Sequence, residues 1–99
     1  MTDDARITLD PSARRFELAE AGQLAYLEFE PLPGALALVH TVVPPALGGR
    51  GVGGALVRHA LDHAAQQGLK VRPDCPFARA WIERHPEYRH LALAPGAAP

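Results

Sequence analysis

The sequence is sparing in several things, and each shortage closes off a class of protein. There is one cysteine, Cys75, in 99 residues. No internal disulfide framework can form, and a reducing, cytoplasmic setting is expected. Positive charge is not in excess: ten Lys and Arg stand against eleven Asp and Glu, a formal net charge of −1. Nucleic-acid binders need a basic surface to neutralise phosphates, and no basic run with interleaved aromatics occurs here, so no nucleic-acid partner is expected. No apolar run approaches the length that crosses a bilayer, which argues against a membrane partner. The acidic start, Met1-Thr2-Asp3-Asp4, is followed by no apolar stretch, so no signal peptide is expected. Internal repeats are absent too. What remains, at 47% hydrophobic and 21% charged, fits one small globular domain with one core. That domain is expected over residues 1–91, followed by a small-residue, proline-rich tail over 92–99 that is expected to be flexible and frayed.

Alternation identifies the first elements. Arg15 to Leu18 sets Phe16 and Leu18 against Arg15 and Glu17, and Leu24 to Glu30 sets Ala25, Leu27 and Phe29 against Tyr26, Glu28 and Glu30. With Glu20-Ala21-Gly22-Gln23 between them, the two segments predict an antiparallel hairpin. Pro31-Leu32-Pro33-Gly34 supplies the next turn. Ala35 to Val43 (ALALVHTVV) is apolar on both faces, as in a strand covered on both sides. His40 interrupts it, on the same face as Leu36, Leu38 and Val42. Pro44-Pro45 ends the strand.

Then comes the richest signal, PPALGGRGVGGALV, with Gly48, Gly49, Gly51, Gly53 and Gly54 within seven residues. Helical spacing follows at once: Leu56, Val57, Ala60, Leu61 and Ala64 share one arc, opposite Arg58, His59, Asp62, His63 and Gln66. Gly68 is a C-terminal stop. Leu69 to Arg72 is a short strand ended by Pro73. Asp74-Cys75-Pro76 reads as a helix start with proline at the first helical position, buried through Phe77, Trp81 and Ile82 and closed by Pro86. The order is hairpin, central strand, glycine loop, helix, strand, helix: a small α/β, or α+β, domain.

Glycines between a strand and a helix N-terminus let successive amides converge on one anion, aided by the helix dipole; phosphate is the natural guest. A loop that binds nothing is the alternative. A P-loop would need Lys-Ser or Lys-Thr after the last glycine, where Ala55 stands. A dinucleotide fold would need further βα units, for which the chain is too short.

HTVVPPALGGRGVGGALVRHALDHA followed by VRPDCPFARAWIERHPEY resembles the small YjdJ-type branch of the GNAT superfamily, the acetyl-CoA-dependent N-acetyltransferases, over about Arg6 to Leu91. Gly51-Val52-Gly53 matches the end of that family's pyrophosphate motif, Gln/Arg-x-x-Gly-x-Gly/Ala. The motif's first position falls on Gly48 in place of Gln or Arg. The resemblance implies a minimal GNAT-like fold with a mostly antiparallel sheet. It also implies a CoA pyrophosphate held by the amides of Gly48 to Gly54, with Arg50 either substituting for the lost side chain or solvated. The same resemblance places Val42, Val43, Gly48, Gly49, Arg50, Gly51, Val52, Gly53, Gly54, Cys75 and Phe77 along the CoA pocket. The implied activity is acetyl transfer from acetyl-CoA to an amine of a protein or small molecule, by a monomer or weak dimer. A CoA-binding module without efficient turnover is the alternative.

Such a transfer needs a neutral amine, a polarised thioester carbonyl and a departing thiolate. His40, just before the loop, is a candidate base, because an imidazole is the side chain suited to proton transfer near neutrality, or else a core histidine tied to a carbonyl. Cys75, ahead of Pro76 at a helix start, is a candidate nucleophile, a wall beside the pantetheine, or an inert buried residue. Tyr88 is expected to pack, with protonation of the leaving thiolate as its other reading. His59 and His63 stand at metal-ligand spacing. They fall on the polar arc with no further ligand cluster, so they are expected to be solvated and no metal is expected.

Overall fold

The computed structural model describes residues 6–94. They form a five-stranded sheet in sequential order, with β1 (Thr8–Asp10), β2 (Arg15–Glu20), β3 (Gln23–Leu32) and β4 (Ala35–Val42) antiparallel and β5 (Lys70–Pro73) parallel to β4. Helix α1 (Val52–Gln66) makes the crossover between β4 and β5, and α2 (Pro76–Arg84) follows β5. This is the mixed α/β, mostly antiparallel arrangement expected of the sequence. The expected frayed tail lies outside the described residues from Pro95 onward. Ala92 and Leu93 are held, the latter by its amide on the Val71 carbonyl at 2.7 Å.

The hairpin is tighter than the alternation implied. Glu20 pairs with Gln23, leaving a two-residue turn in which Ala21 (φ 52°) and Gly22 (φ 74°) are both left-handed. That is the turn whose twist matches two paired strands. Strand β1 was not anticipated, because three residues carry too little alternation to be read. α1 ends as expected: Gly68 (φ 70°) turns the chain and the Leu69 amide reaches back to the Ala64 carbonyl at 2.8 Å.

One face of the sheet carries the core. Phe16, Leu18, Leu27, Leu38 and Val71 lie against Leu56, Val57, Ala60 and Leu61 of α1, and Ala78, Trp81 and Ile82 of α2 close the same cluster. The burial follows the predicted arcs, except that Phe77 is 43% exposed and stands apart from the buried face of α2. His59 and His63 are half-buried, edge-on to the Phe16 ring at 5.6 and 5.5 Å between centroids. They pack on the sheet instead of standing in solvent. Among the described residues no helix covers the other face. Ala35 and Ala37 are nevertheless buried there, flanked by Leu32, Glu30, Lys70 and Arg72 on the neighbouring strands. The double-sided apolar pattern of β4 therefore has a different origin on each face: helices on one, long side chains on the other.

Midway along β4 the ladder slips. Phe29 pairs with Leu38 and Glu28 with His40, so Val39 is a bulged residue with no partner in β3. Because the side-chain period is two, the extra residue exchanges the faces beyond it. Thr41, opposite the buried Leu27, joins the helix side with Leu36 and Leu38. His40, opposite Glu28, and Val42, opposite Tyr26, point to the open face. The face expected for His40 assumed an unbroken strand, and the bulge reverses it.

Candidate functional site

The bulge coincides with a fork. β5 pairs with β4 only from Ala35–Lys70 to Leu38–Pro73, and the Cys75 amide adds a further backbone hydrogen bond, to the Leu38 carbonyl at 2.8 Å. From there the β5 segment turns into α2 while β4 runs on four more residues. Among the described residues, no strand pairs with that side of β4 beyond Leu38.

The loop after β4 is built in two steps. A 3-10 turn over Pro45–Leu47 is closed by the Leu47 amide on the Pro44 carbonyl (2.9 Å) and the Gly48 amide on the Pro45 carbonyl (3.1 Å), with the Leu47 side chain buried beneath. Gly49 and Gly51 then both take φ 75°. A side chain at either would find open space but a strained backbone. α1 begins with the Ala55 amide on the Gly51 carbonyl (3.0 Å). The amides of Val52, Gly53 and Gly54 thus precede the helical ladder, and no side chain caps them.

Gly53 and Gly54 are required for another reason. A Cβ on Gly53 would stand 2.8 Å from Phe77 Cζ, and one on Gly54 would stand 2.8 Å from Trp81 Nε1. These two glycines let α2 approach the first turn of α1. Gly48 differs from all four: its φ of −68° and ψ of 156° are open to any residue, and its Cβ would sit 3.3 Å from the Pro45 carbonyl oxygen.

Together these elements enclose a groove of about 380 Å³. Its floor and lip are Gly48, Gly49, Gly51, Val52, Gly53 and Gly54, and its walls are Thr41, Val43, Leu47 and Phe77. Thr41 and Leu47 were not among the expected pocket residues. Thr41 is hidden from sequence reading by the bulge, whereas Leu47, the apolar residue ahead of the glycines, carried a signal that went unused. Val43 and Phe77 line the groove. Val42 shares the open face of the sheet with Tyr26.

The chemically active candidates divide about the fork. Cys75 is buried at the head of α2, and its Sγ lies 3.4 Å from Thr41 Oγ1, which faces the groove. His40 is exposed on the other face of the sheet, one residue from Thr41. Arg50 turns away from the groove, and its guanidinium is ion-paired with Glu20 at the hairpin turn, where Arg6 is bound as well. Tyr88 lies behind α1. Its hydroxyl donates to Asp62 Oδ1 at 3.0 Å and its ring leans on Trp81 at 5.4 Å, outside the groove lining. Burial, then that hydrogen bond and the Asp62 charge, push the Tyr88 hydroxyl above the usual tyrosine value. Among the described residues no three His, Cys, Asp or Glu side chains converge as a metal site.

An uncapped helix start behind two left-handed glycines presents amides and no side chains, a donor set suited to a phosphate oxygen. The apolar walls and the free β4 edge continue from it towards Thr41 and Cys75, so the groove suits a long ligand with an anionic end. Comparison with known proteins places the fold. A solution structure of a GCN5-like protein from Staphylococcus aureus, itself provisionally assigned as an N-acetyltransferase, superposes with a TM-score of 0.71. The two are 26% identical, over 94% of this chain and 92% of that one. No curated protein sequence matches the chain. Residues 15–91 match the GCN5-related N-acetyl-transferase family, from the hairpin to the end of the turn after α2. The chain belongs to the GCN5-related N-acetyltransferase family.

Proposed function

We propose that the protein transfers an acetyl group from acetyl-CoA to a primary amine, with the two substrates meeting at the fork from opposite faces of the sheet. The observation that carries this reading is the continuity of the groove, from the uncapped amides of α1 along β4 to the Thr41–Cys75 contact. In this reading the amides between Gly48 and Gly54 hold the CoA diphosphate. Val43, Leu47 and Phe77 flank the pantetheine, and the unpartnered edge of β4 offers it backbone hydrogen bonds.

The thioester then lies beside Thr41 and Cys75. The Cys75 amide is engaged by Leu38, so it is not a donor for the developing oxyanion. The Thr41 hydroxyl, on a residue that lines the groove, is the polar group we assign to that role. The acceptor approaches from the open face, where His40 takes the proton that its nitrogen must lose before attack. The neutral amine attacks the thioester carbonyl, the carbon–sulfur bond breaks, and the proton still to be lost from the nitrogen passes to the departing CoA thiolate. This gives amide and CoA thiol in a direct transfer that leaves Cys75 as a wall of the thioester site. One feature favours the second reading, a CoA-binding module with little turnover: no side chain that ionises near neutral pH lines the groove.

Thermal unfolding with acetyl-CoA separates binding from no binding. At about 100 times Kd the ligand adds about 2.7 kcal/mol, which for a domain of this size raises Tm by roughly 10 °C. The absence of a shift with both CoA and acetyl-CoA would overturn both readings. Where binding is seen, thiol release across an amine panel decides turnover. His40→Ala is expected to lower turnover sharply with binding retained, and an unchanged rate removes His40 from the mechanism.

A further inference from the structure

The one cation of the glycine loop is not presented to the groove. Arg50 lies between the left-handed Gly49 and Gly51, so the loop backbone turns on either side of it and sends its side chain towards the β2–β3 turn. There its guanidinium meets one carboxylate oxygen of Glu20, and the other oxygen is held by Arg6. The Glu20 side chain is 19% exposed, against 45% for Arg50 and 43% for Arg6. The carboxylate is therefore the fixed member of the trio, and Arg50, the more exposed of its partners, is the one placed to swing.

We propose that Glu20 is a latch on Arg50, which sets the affinity of the glycine loop for the diphosphate end of its ligand. The inference rests on the CoA-binding reading above. In the unliganded protein Glu20 neutralises Arg50 and adds a negative charge close to a site meant for anions. When a diphosphate reaches the loop amides, Arg50 exchanges its carboxylate for a phosphate oxygen. Glu20 is not stranded by this exchange, because Arg6 still holds its other oxygen. A guanidinium suits the exchange, since its planar fork binds a carboxylate or a phosphate in the same way. The loop thereby supplies a cation from Arg50, although Gly48 has no side chain to offer.

The experiment is a binding titration of four proteins (wild type, Glu20→Gln, Arg50→Gln and the double variant) against CoA and against pantetheine, which lacks the diphosphate. Glu20→Gln keeps the shape and removes the charge, and thermal unfolding checks that each variant folds. Freed from an exposed ion pair of ordinary strength, Arg50 should tighten CoA binding by about two- to fivefold. Arg50→Gln should weaken it, and Glu20→Gln should add little once Arg50 is gone. Pantetheine affinity should not change in any variant. Raising the salt concentration should shrink the gain from Glu20→Gln. Unchanged or weaker CoA binding by Glu20→Gln overturns the latch. So does a gain of equal size in both backgrounds, because that gain would be the field of Glu20 alone. If neither wild type nor Glu20→Gln binds CoA, the CoA-binding reading fails first and takes the latch with it.

Discussion

Strand β4 is two different objects joined at Val39. From Ala35 to Leu38 it is paired on both sides, and all four residues are buried. From His40 to Val42 it is paired on one side only, Val39 is paired on neither, no residue is fully buried, and Val39 is 43% exposed. The first half holds the fold together. The second half gives up a strand partner and packing, and in return offers an unused backbone edge beside a groove. A sheet can open a ligand slot without weakening its centre when the loss is confined to residues beyond a bulge. Substitutions on the two sides of Val39 should therefore separate stability from function.

The largest effect is expected in the paired half. Leu38 is fully buried in the core cluster and sits directly at the fork. Leu38→Ala removes apolar contacts and leaves a cavity, at a cost of about 2–5 kcal/mol. For a domain of this size that lowers Tm by 10 °C or more. Denaturant unfolding reads the change directly, and a loss below about 1 kcal/mol would mean that the first half does not anchor the fold.

The glycine loop contains a smaller version of the same contrast. Gly54→Ala drives a methyl group into Trp81, which is buried at 7% exposure, stacked on His85 at 3.7 Å between ring centroids and tilted against Tyr88. Trp81 cannot easily yield, and overpacking of this kind costs about 1–3 kcal/mol. Gly53→Ala meets Phe77 at the same 2.8 Å, but Phe77 is exposed and can swing outward. It should unfold within about 0.5 kcal/mol of wild type while binding CoA less well, because the displaced ring is a wall of the groove. Equal destabilisation by both variants would show that Phe77 is as fixed as Trp81.

These contrasts also mark what could be read from the sequence. Alternation and helical spacing placed the hairpin, both helices and the glycine loop, because each is decided by residues close together in the chain. The bulge at Val39 is not so decided. Val39-His40 has no glycine or proline to announce it, and the slip depends on where β3 pairs and where β5 departs. That one unread residue moved His40 to the open face and brought Thr41 to the groove. The Glu20–Arg50 pair was out of reach for a similar reason, since it joins two turns thirty residues apart. Phe77 and Trp81 could not be told apart by spacing alone. Their exposures, 43% for Phe77 and 7% for Trp81, show that one ring walls the groove and the other fills the core.

A pH titration tests the paired half from a distance. Tyr88 ties the turn after α2 to Asp62 of α1, and the same chain end bonds to Val71 of β5 through Leu93. Burial and the Asp62 contact raise the Tyr88 pKa on folding above the ordinary value near 10. The folded state thus binds the proton more tightly. The contribution is complete below pH 10 and is lost as pH rises through the folded value. Tyr88→Phe should cost about 0.5–1 kcal/mol at neutral pH and flatten the alkaline decline in stability. An alkaline decline identical in both proteins would assign it to other groups.

The smallest effect on stability, and the sharpest test of the division, is expected at Thr41. Its hydroxyl touches Cys75 Sγ at 3.4 Å, a weak contact because thiols donate and accept poorly. Thr41→Val keeps the branched shape and the strand preference of the residue, and half-burial leaves little to desolvate. Unfolding should stay within about 0.5 kcal/mol of wild type, and CoA binding should be close to unchanged, since the amides and the apolar walls are intact. Turnover is another matter. If the Thr41 hydroxyl supports the charge that develops on the thioester oxygen, its loss lowers the rate by about ten- to a hundredfold at constant CoA affinity. A variant that loses stability along with rate would place Thr41 with the anchoring half of β4. One that loses neither would leave the second half as a binding edge and take Thr41 out of the chemistry.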